Sequence, residues 1–186
     1  MNRSKGFSLI EVLVTLLLVT VGLLGVVALQ SRGIQFTQDS VQRNSAIELS
    51  NQLLELMRAN ADEIFDETRP AYPANKGIKN SSLFLKAKGS DFSPAPSVPT
   101  PEECMAPQTA EDQRNCWLEQ VKSKLPKADT LLTNQFYICR SSTPGNCNNQ
   151  GSTLEVQLAW HVKDNTCPDD NAPDKNTCIY RTRIEL

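Results

Sequence analysis

Histidine occurs once in the 186 residues, at His161, and none of the six cysteines forms a C-x-x-C pair. A zinc site built from paired thiolates and imidazoles is therefore not expected. There is no G-x-S-x-G, no Walker-type loop and no paired-carboxylate motif, so no enzyme and no cofactor is expected. A Cys-His nucleophile is equally poor, because His161 alternates onto the polar face of its β-patterned run and exported thiols tend to be oxidised. Basic residues are dispersed and the formal net charge is −2, which leaves no footprint for duplex DNA. With 39% apolar and 22% charged residues the chain is neither collagen-like nor plainly disordered, and its length suits one domain rather than a large multidomain enzyme. Proline is missing before Pro70 and cysteine before Cys104. Those two local absences mark out a different kind of amino-terminal segment.

Apolar residues concentrate there. They occupy 17 of the 23 positions in 7–29, against 56 of the other 163. Residues 12–29 carry no charge over 18 positions, close to the minimum that crosses a hydrocarbon core about 30 Å thick. Arg3 and Lys5 precede the run, so the positive-inside rule puts the amino terminus in the cytoplasm and the rest on the exported side. A secretory signal peptide would end in small residues of the A-x-A type, which this run lacks. Glu11 lies near its start, where a carboxylate costs roughly 2.5–3.5 kcal/mol on insertion scales and less near an interface. A simple anchor has no use for it.

Gly6-Phe7-Ser8-Leu9-Ile10-Glu11, after a short basic leader and before an apolar run, resembles the prepilin signal of type IV pilins and pseudopilins. The resemblance implies that a prepilin peptidase, a membrane-embedded aspartyl enzyme, cuts between Gly6 and Phe7 and methylates the Phe7 amine. Glu11 becomes the fifth residue of the mature chain, and the apolar run stays attached. Loss of Arg3 and Lys5 leaves 17 basic against 21 acidic side chains, a formal charge of −4. The new amine, with an ordinary pKa near 8, is cationic at neutral pH. In a bundle of parallel helices Glu11 of one subunit can pair with the Phe7 amine of a staggered neighbour, offsetting the desolvation of both. The charge then acts as a register key, as a buried polar residue does in a coiled coil.

Gly22-Leu23-Leu24-Gly25, followed by Ala28-Leu29-Gln30, is similar to minor pilins of the PilV type, also called type IV pilus modification proteins. Gly22 and Gly25 let helix backbones approach closely and weaken the helix by about 1 kcal/mol each. Major pilins usually carry a helix-kinking proline in this region; its absence here points to a minor subunit. The resemblance implies as partners other minor pilins, the major pilin, the prepilin peptidase, the inner-membrane assembly platform and the membrane. It also implies a path from single-pass inner-membrane protein to pilus, with roles in initiating assembly or forming the tip complex, in twitching motility and in adhesion. A type II secretion pseudopilin shares the same signal. A membrane-anchored periplasmic enzyme or ligand-binding protein is the alternative of another class; it requires an uncut leader and indifference to neutralisation of Glu11.

Beyond residue 30, Leu49, Leu53, Leu56, Met57, Ala61 and Ile64 recur at spacings of three and four, the stripe of an amphipathic helix. A single helix from about residue 7 to 65 would be about 88 Å long. Residues 70–109 are rich in proline and read as loop, with a short strand at 82–85. Residues 112–125 return to helical spacing, with Trp117, Val121 and Leu125 on the core side and Thr109 and Asp112 as a capping box. Three β-patterned runs follow at 135–140, 153–162 and 177–184, the second with Leu154, Val156, Leu158, Trp160 and Val162 facing one way. The expected fold is α+β and type IV pilin-like: a long amino-terminal helix, its first half transmembrane, packed on a carboxy-terminal antiparallel sheet. The expected segments are a leader at 1–6, an assembly helix at 7–30, its amphipathic continuation at 31–68, a proline-rich loop with a short helix at 69–130, and the sheet with disulfide loops at 131–186.

Six cysteines admit many connectivities. The expectation is sequential pairing, Cys104 with Cys116, Cys139 with Cys147 and Cys167 with Cys178, each closing a short excursion that contains proline or asparagine. Such loops contribute about 2–3 kcal/mol each in the chain-entropy model, offsetting a lean core. Asp164, Asp169, Asp170 and Asp174 concentrate oxygen ligands near the last of these loops. Their spacing does not fit an EF-hand, so a solvated loop is expected over a calcium site.

Overall fold

A computed structural model of the chain describes residues 8–65, 77–79, 81–163 and 167–186. It divides into two units, the first ending at Ser40 and the second comprising Val41–Leu186. Helix α1, Leu9–Ala59, contributes to both.

In the second unit the end of α1 buries Ala46, Leu49, Leu53 and Met57. The helix does not run unbroken to residue 65, as the spacing predicts. Asn60 leaves helical geometry (φ −118°, ψ 53°), and a separate turn, α2 (Ala61–Ile64), follows. The Asn60 amide donates to the Leu56 carbonyl at 2.8 Å and to Gln113 at 2.7 Å. Asparagine competes for backbone partners in this way and ends helices. Ile64 is buried as the stripe predicts, whereas Ala61 is exposed.

The proline-rich region holds more structure than expected. Residues 82–85 form turns rather than a strand, and Lys86 pairs with Ile138 in an isolated antiparallel bridge. Helix α3 (Pro101–Met105) starts at a capping box between Thr100 and Glu103. The Thr-x-x-Glu signal for it stands in the sequence beside Pro101. Helix α4 (Ala110–Lys124) has the Thr109–Asp112 box and buries Trp117 and Val121. Arg114 of α4 is fully buried, donates to the Leu83 carbonyl at 3.1 Å and to Asn115 at 2.9 Å, and lies 5.5 Å from the Phe92 ring centre. Asn115 in turn donates to Ser97. These contacts hold the irregular segment onto α4.

A further helix, α5 (Ala128–Gln135), occupies residues assigned above to the loop and the sheet. Lys127 enters it in the left-handed conformation, φ 54°, which hydrophobic periodicity does not reveal. The sheet is antiparallel, in the order β1 (Tyr137–Arg140), β2 (Leu154–His161), β3 (Thr177–Ile184). Along β1 the partners of β2 stop at Gln157. Beyond that point the Pro126–α5 segment takes the edge: the His161 amide donates to the Pro126 carbonyl, and the Gln157 side chain to the Gln135 carbonyl.

Leu154, Val156, Leu158, Trp160 and Val162 are all in the core, as the alternation predicts. The alternate positions Glu155, Gln157 and Ala159 are buried as well, so β2 has no open polar face; His161 is half-buried. Disulfides join Cys104 to Cys116, Cys139 to Cys147 and Cys167 to Cys178, with Cα separations of 5.5, 5.5 and 5.4 Å. Among the described residues each bridge closes a chain-local loop.

Lys86 is 3% exposed and donates to the carbonyls of Ala87, Thr133 and Phe136 at 3.2, 3.0 and 2.8 Å. It thereby caps the carboxy end of α5. Burial lowers its pKa from 10.5 to about 8, and Asp91 opposes the shift. Between those values the unfolded chain binds more protons than the native one, so stability rises with pH through this window. The gain is on the order of 3 kcal/mol. Chemical denaturation of the full chain from pH 8 to 10 is expected to show the rise, and Lys86→Met to abolish it. An identical slope in both proteins would refute the assignment.

Candidate functional site: the amino-terminal apolar segment

From Leu9 to Leu29 the helix of the first unit has a mainly apolar outside. From Leu9 to Leu29 every side chain is exposed, including Leu24 at 71% and Leu29 at 74%. In a chain with a sheltered core elsewhere, such a surface is stable only in lipid or against another protein. Thr15 and Thr20 turn their hydroxyls back to the carbonyls of Val12 and Leu17, both at 2.9 Å. Their polar groups are therefore satisfied within the helix, as a hydrocarbon surrounding requires. The 18-residue window of highest hydropathy is long and apolar enough to span a membrane and none of it is buried.

Glu11 lies in the first turn of α1, where a negative charge is favoured by the helix dipole. It is exposed, and among the described residues no ion pair engages it. Gly22 is eleven residues on, about three turns, so it shares Glu11's side of the helix, with Gly25 close by. A Cβ added at either glycine would meet nothing within 4 Å. Nothing in the described chain requires those two residues to be glycine; a close approach from outside would. Gly6 and Phe7, the two sides of the expected cut, lie outside the described residues, as do Arg3 and Lys5.

Among the described residues the acidic loop's carboxylates are engaged locally. Asp169 accepts from the Asn171 amide at 2.9 Å, Asp174 from the Asn176 amide at 2.7 Å, and Asp170 faces Lys175 at 3.7 Å. Among the described residues no three metal-ligating side chains converge; Asp164 lies outside them.

Sequence reasoning missed the buried polar groups of the second unit. Glu155 is 0% exposed and accepts from the Tyr137 hydroxyl at 2.7 Å and from the Gly145 amide at 2.9 and 2.8 Å, with Arg181 at 3.4 Å. Burial, then the Glu155 hydrogen bond, raises the Tyr137 pKa well above its ordinary 10.0. The only sequence signal was a glutamate and a glutamine inside a strongly apolar strand.

Residues 1–27 match a family described as the prokaryotic N-terminal methylation motif. No curated protein and no solved structure matches the chain.

Proposed function

We infer from the methylation motif at residues 1–27 that this is a protein of pilin or pseudopilin type, with an amino terminus suited to prepilin peptidase processing and assembly with other pilins. Its long apolar helix, three-stranded antiparallel sheet and three disulfides form an α+β pilin-like fold.

We propose that the chain is a nonenzymatic minor pilin of a type IV pilus, PilV-like, that helps initiate assembly or form the tip complex and so supports twitching motility and adhesion. The observation that carries this reading is the motif continuing into a helix with no apolar side chain covered from Leu9 to Leu29. Such a helix has two stable surroundings, the bilayer before assembly and neighbouring helices after it. The amino terminus is cytoplasmic while the helix resides in the inner membrane, and the disulfide-bearing unit is periplasmic. The proline-free run and the Gly22–Gly25 pair favour a minor subunit over the main fibre component.

Intact-mass and amino-terminal analysis of the purified protein tests the processing. The expected result is a chain that begins at N-methylated Phe7; retention of residues 1–6 would refute it and favour the anchored-enzyme alternative. Deletion of the gene then separates the two assemblies. Lost fibres and twitching with normal secretion support the pilus, and the opposite pattern assigns the chain to type II secretion.

A further inference from the structure

The second unit contains a cleft of about 480 Å³ between the end of α1 and α4. That size falls within the range of small-molecule sites. Its floor is apolar, formed by Leu56, Pro107, Trp117 and the Cys104–Cys116 disulfide. Two contacts bridge the helices beside it, Lys124 to Glu48 at 2.9 Å and Asn60 to Gln113 at 2.7 Å. The walls carry Asn51, Gln52 and Glu55 on α1 and Gln113 and Gln120 on α4.

This wall chemistry is specific. Side-chain amides both donate and accept, and carboxylates accept. Among the described residues no hydrogen bond engages the Asn51 or Gln120 side chain, and the Gln52 amide donates to Glu48 at 3.1 Å while its carbonyl oxygen has no partner. Among the described residues the lining holds no lysine or arginine, and the cations nearest it, Lys124 and Arg58, are paired with the lining carboxylates Glu48 and Glu55, which disfavours phosphate and carboxylate ligands. A ligand that matches these walls is neutral, offers several groups that donate and accept together, and has an apolar face for the floor. A pyranose ring has that combination.

We propose that this cleft binds a neutral saccharide of one or two pyranose rings, with hydroxyls on the amide walls and a C–H face on the Leu56–Pro107–Trp117 floor. The proposal holds whichever assembly the amino-terminal helix joins.

Ligand-observed saturation-transfer NMR on the full chain in phospholipid nanodiscs, free of glycoside detergents, tests it. The probes are N,N′-diacetylchitobiose, lactose and maltose. At least one is expected to show transfer to its ring protons, with affinity at least tenfold weaker in Asn51→Ala/Gln120→Ala. Neither side chain is hydrogen-bonded within the described residues, so this variant keeps the fold. Gln120→Trp, which fills the cleft, is expected to abolish transfer. Absence of transfer from all three probes, or equal transfer in wild type and both variants, overturns the proposal.

Discussion

Replacing Glu11 by alanine is expected to leave cleavage after Gly6 intact and to lower the amount of this chain in sheared fibres at least tenfold. The cut and the carboxylate are separable, because the peptide bond broken lies four residues before Glu11. Within the bilayer the substitution removes a charge that costs roughly 2.5–3.5 kcal/mol to insert, so the variant is more comfortable in lipid than the wild type. Within the proposed fibre it would remove the acceptor expected for a neighbour's Phe7 amine and leave that amine among apolar helices, a loss of about 3–5 kcal/mol. Both changes favour the membrane over the fibre. At about 1.4 kcal/mol per tenfold, even a heavily discounted sum exceeds one order of magnitude. Glu11→Gln, which keeps a hydrogen-bond acceptor but no charge, is expected to fall between the two. Quantitative immunoblots of sheared fibre and membrane fractions measure the partition, and wild-type recovery of Glu11→Ala would remove the register role.

The second large effect lies in the exported unit. Glu155→Ala is expected to destabilise it by about 3–5 kcal/mol. The carboxylate is fully buried and holds together three elements: Tyr137 of β1, Arg181 of β3, and Gly145 within the Cys139–Cys147 loop. Without it the Tyr137 hydroxyl and the Gly145 amide lose their acceptor, and among the described residues Arg181 keeps Gln157, at 2.8 Å, and the Tyr137 ring, 5.9 Å from its guanidinium. Gly145 sits at φ +79°, where any side chain is strained, and a Cβ there would lie 3.0 Å from the end of the Arg181 side chain. Denaturation of the oxidised full chain, wild type against Glu155→Ala and Glu155→Gln, provides the test. A change below about 1 kcal/mol in the alanine variant would show that the network is dispensable. The same site sets an alkaline limit. Tyr137 stays protonated in the native state where an unfolded tyrosine ionises, so its contribution is complete below about pH 10 and is lost as pH rises beyond it.

The methylation motif and the apolar helix behind it were legible because their information is linear. A bilayer or a bundle of identical helices reads composition, charge position and length along one helix, and Gly6, Glu11 and the charge-free stretch state all three without any fold. The stripe through Leu49, Leu53 and Met57, the β3 run and the Thr109–Asp112 cap were legible for a similar reason, since local periodicity and capping chemistry are written within one or two turns. Cysteine pairs closing short loops belong with them. Helix α5 was not legible because a left-handed Lys127 after Pro126 looks like a loop, and its eight residues are too few for a clear period. What covers the second face of β2 was likewise hidden. Alternation assigns Glu155 and Gln157 to solvent, and only the arrival of Arg181, Tyr137, the Gln135 carbonyl and the disulfide loop makes their burial affordable. Local sequence therefore sufficed for the amino-terminal methylation motif and for the exposed apolar helix that follows it. The fold alone settled which charges are buried and which amides meet across a cleft, because each depends on partners that become neighbours only when the strands and helices pack.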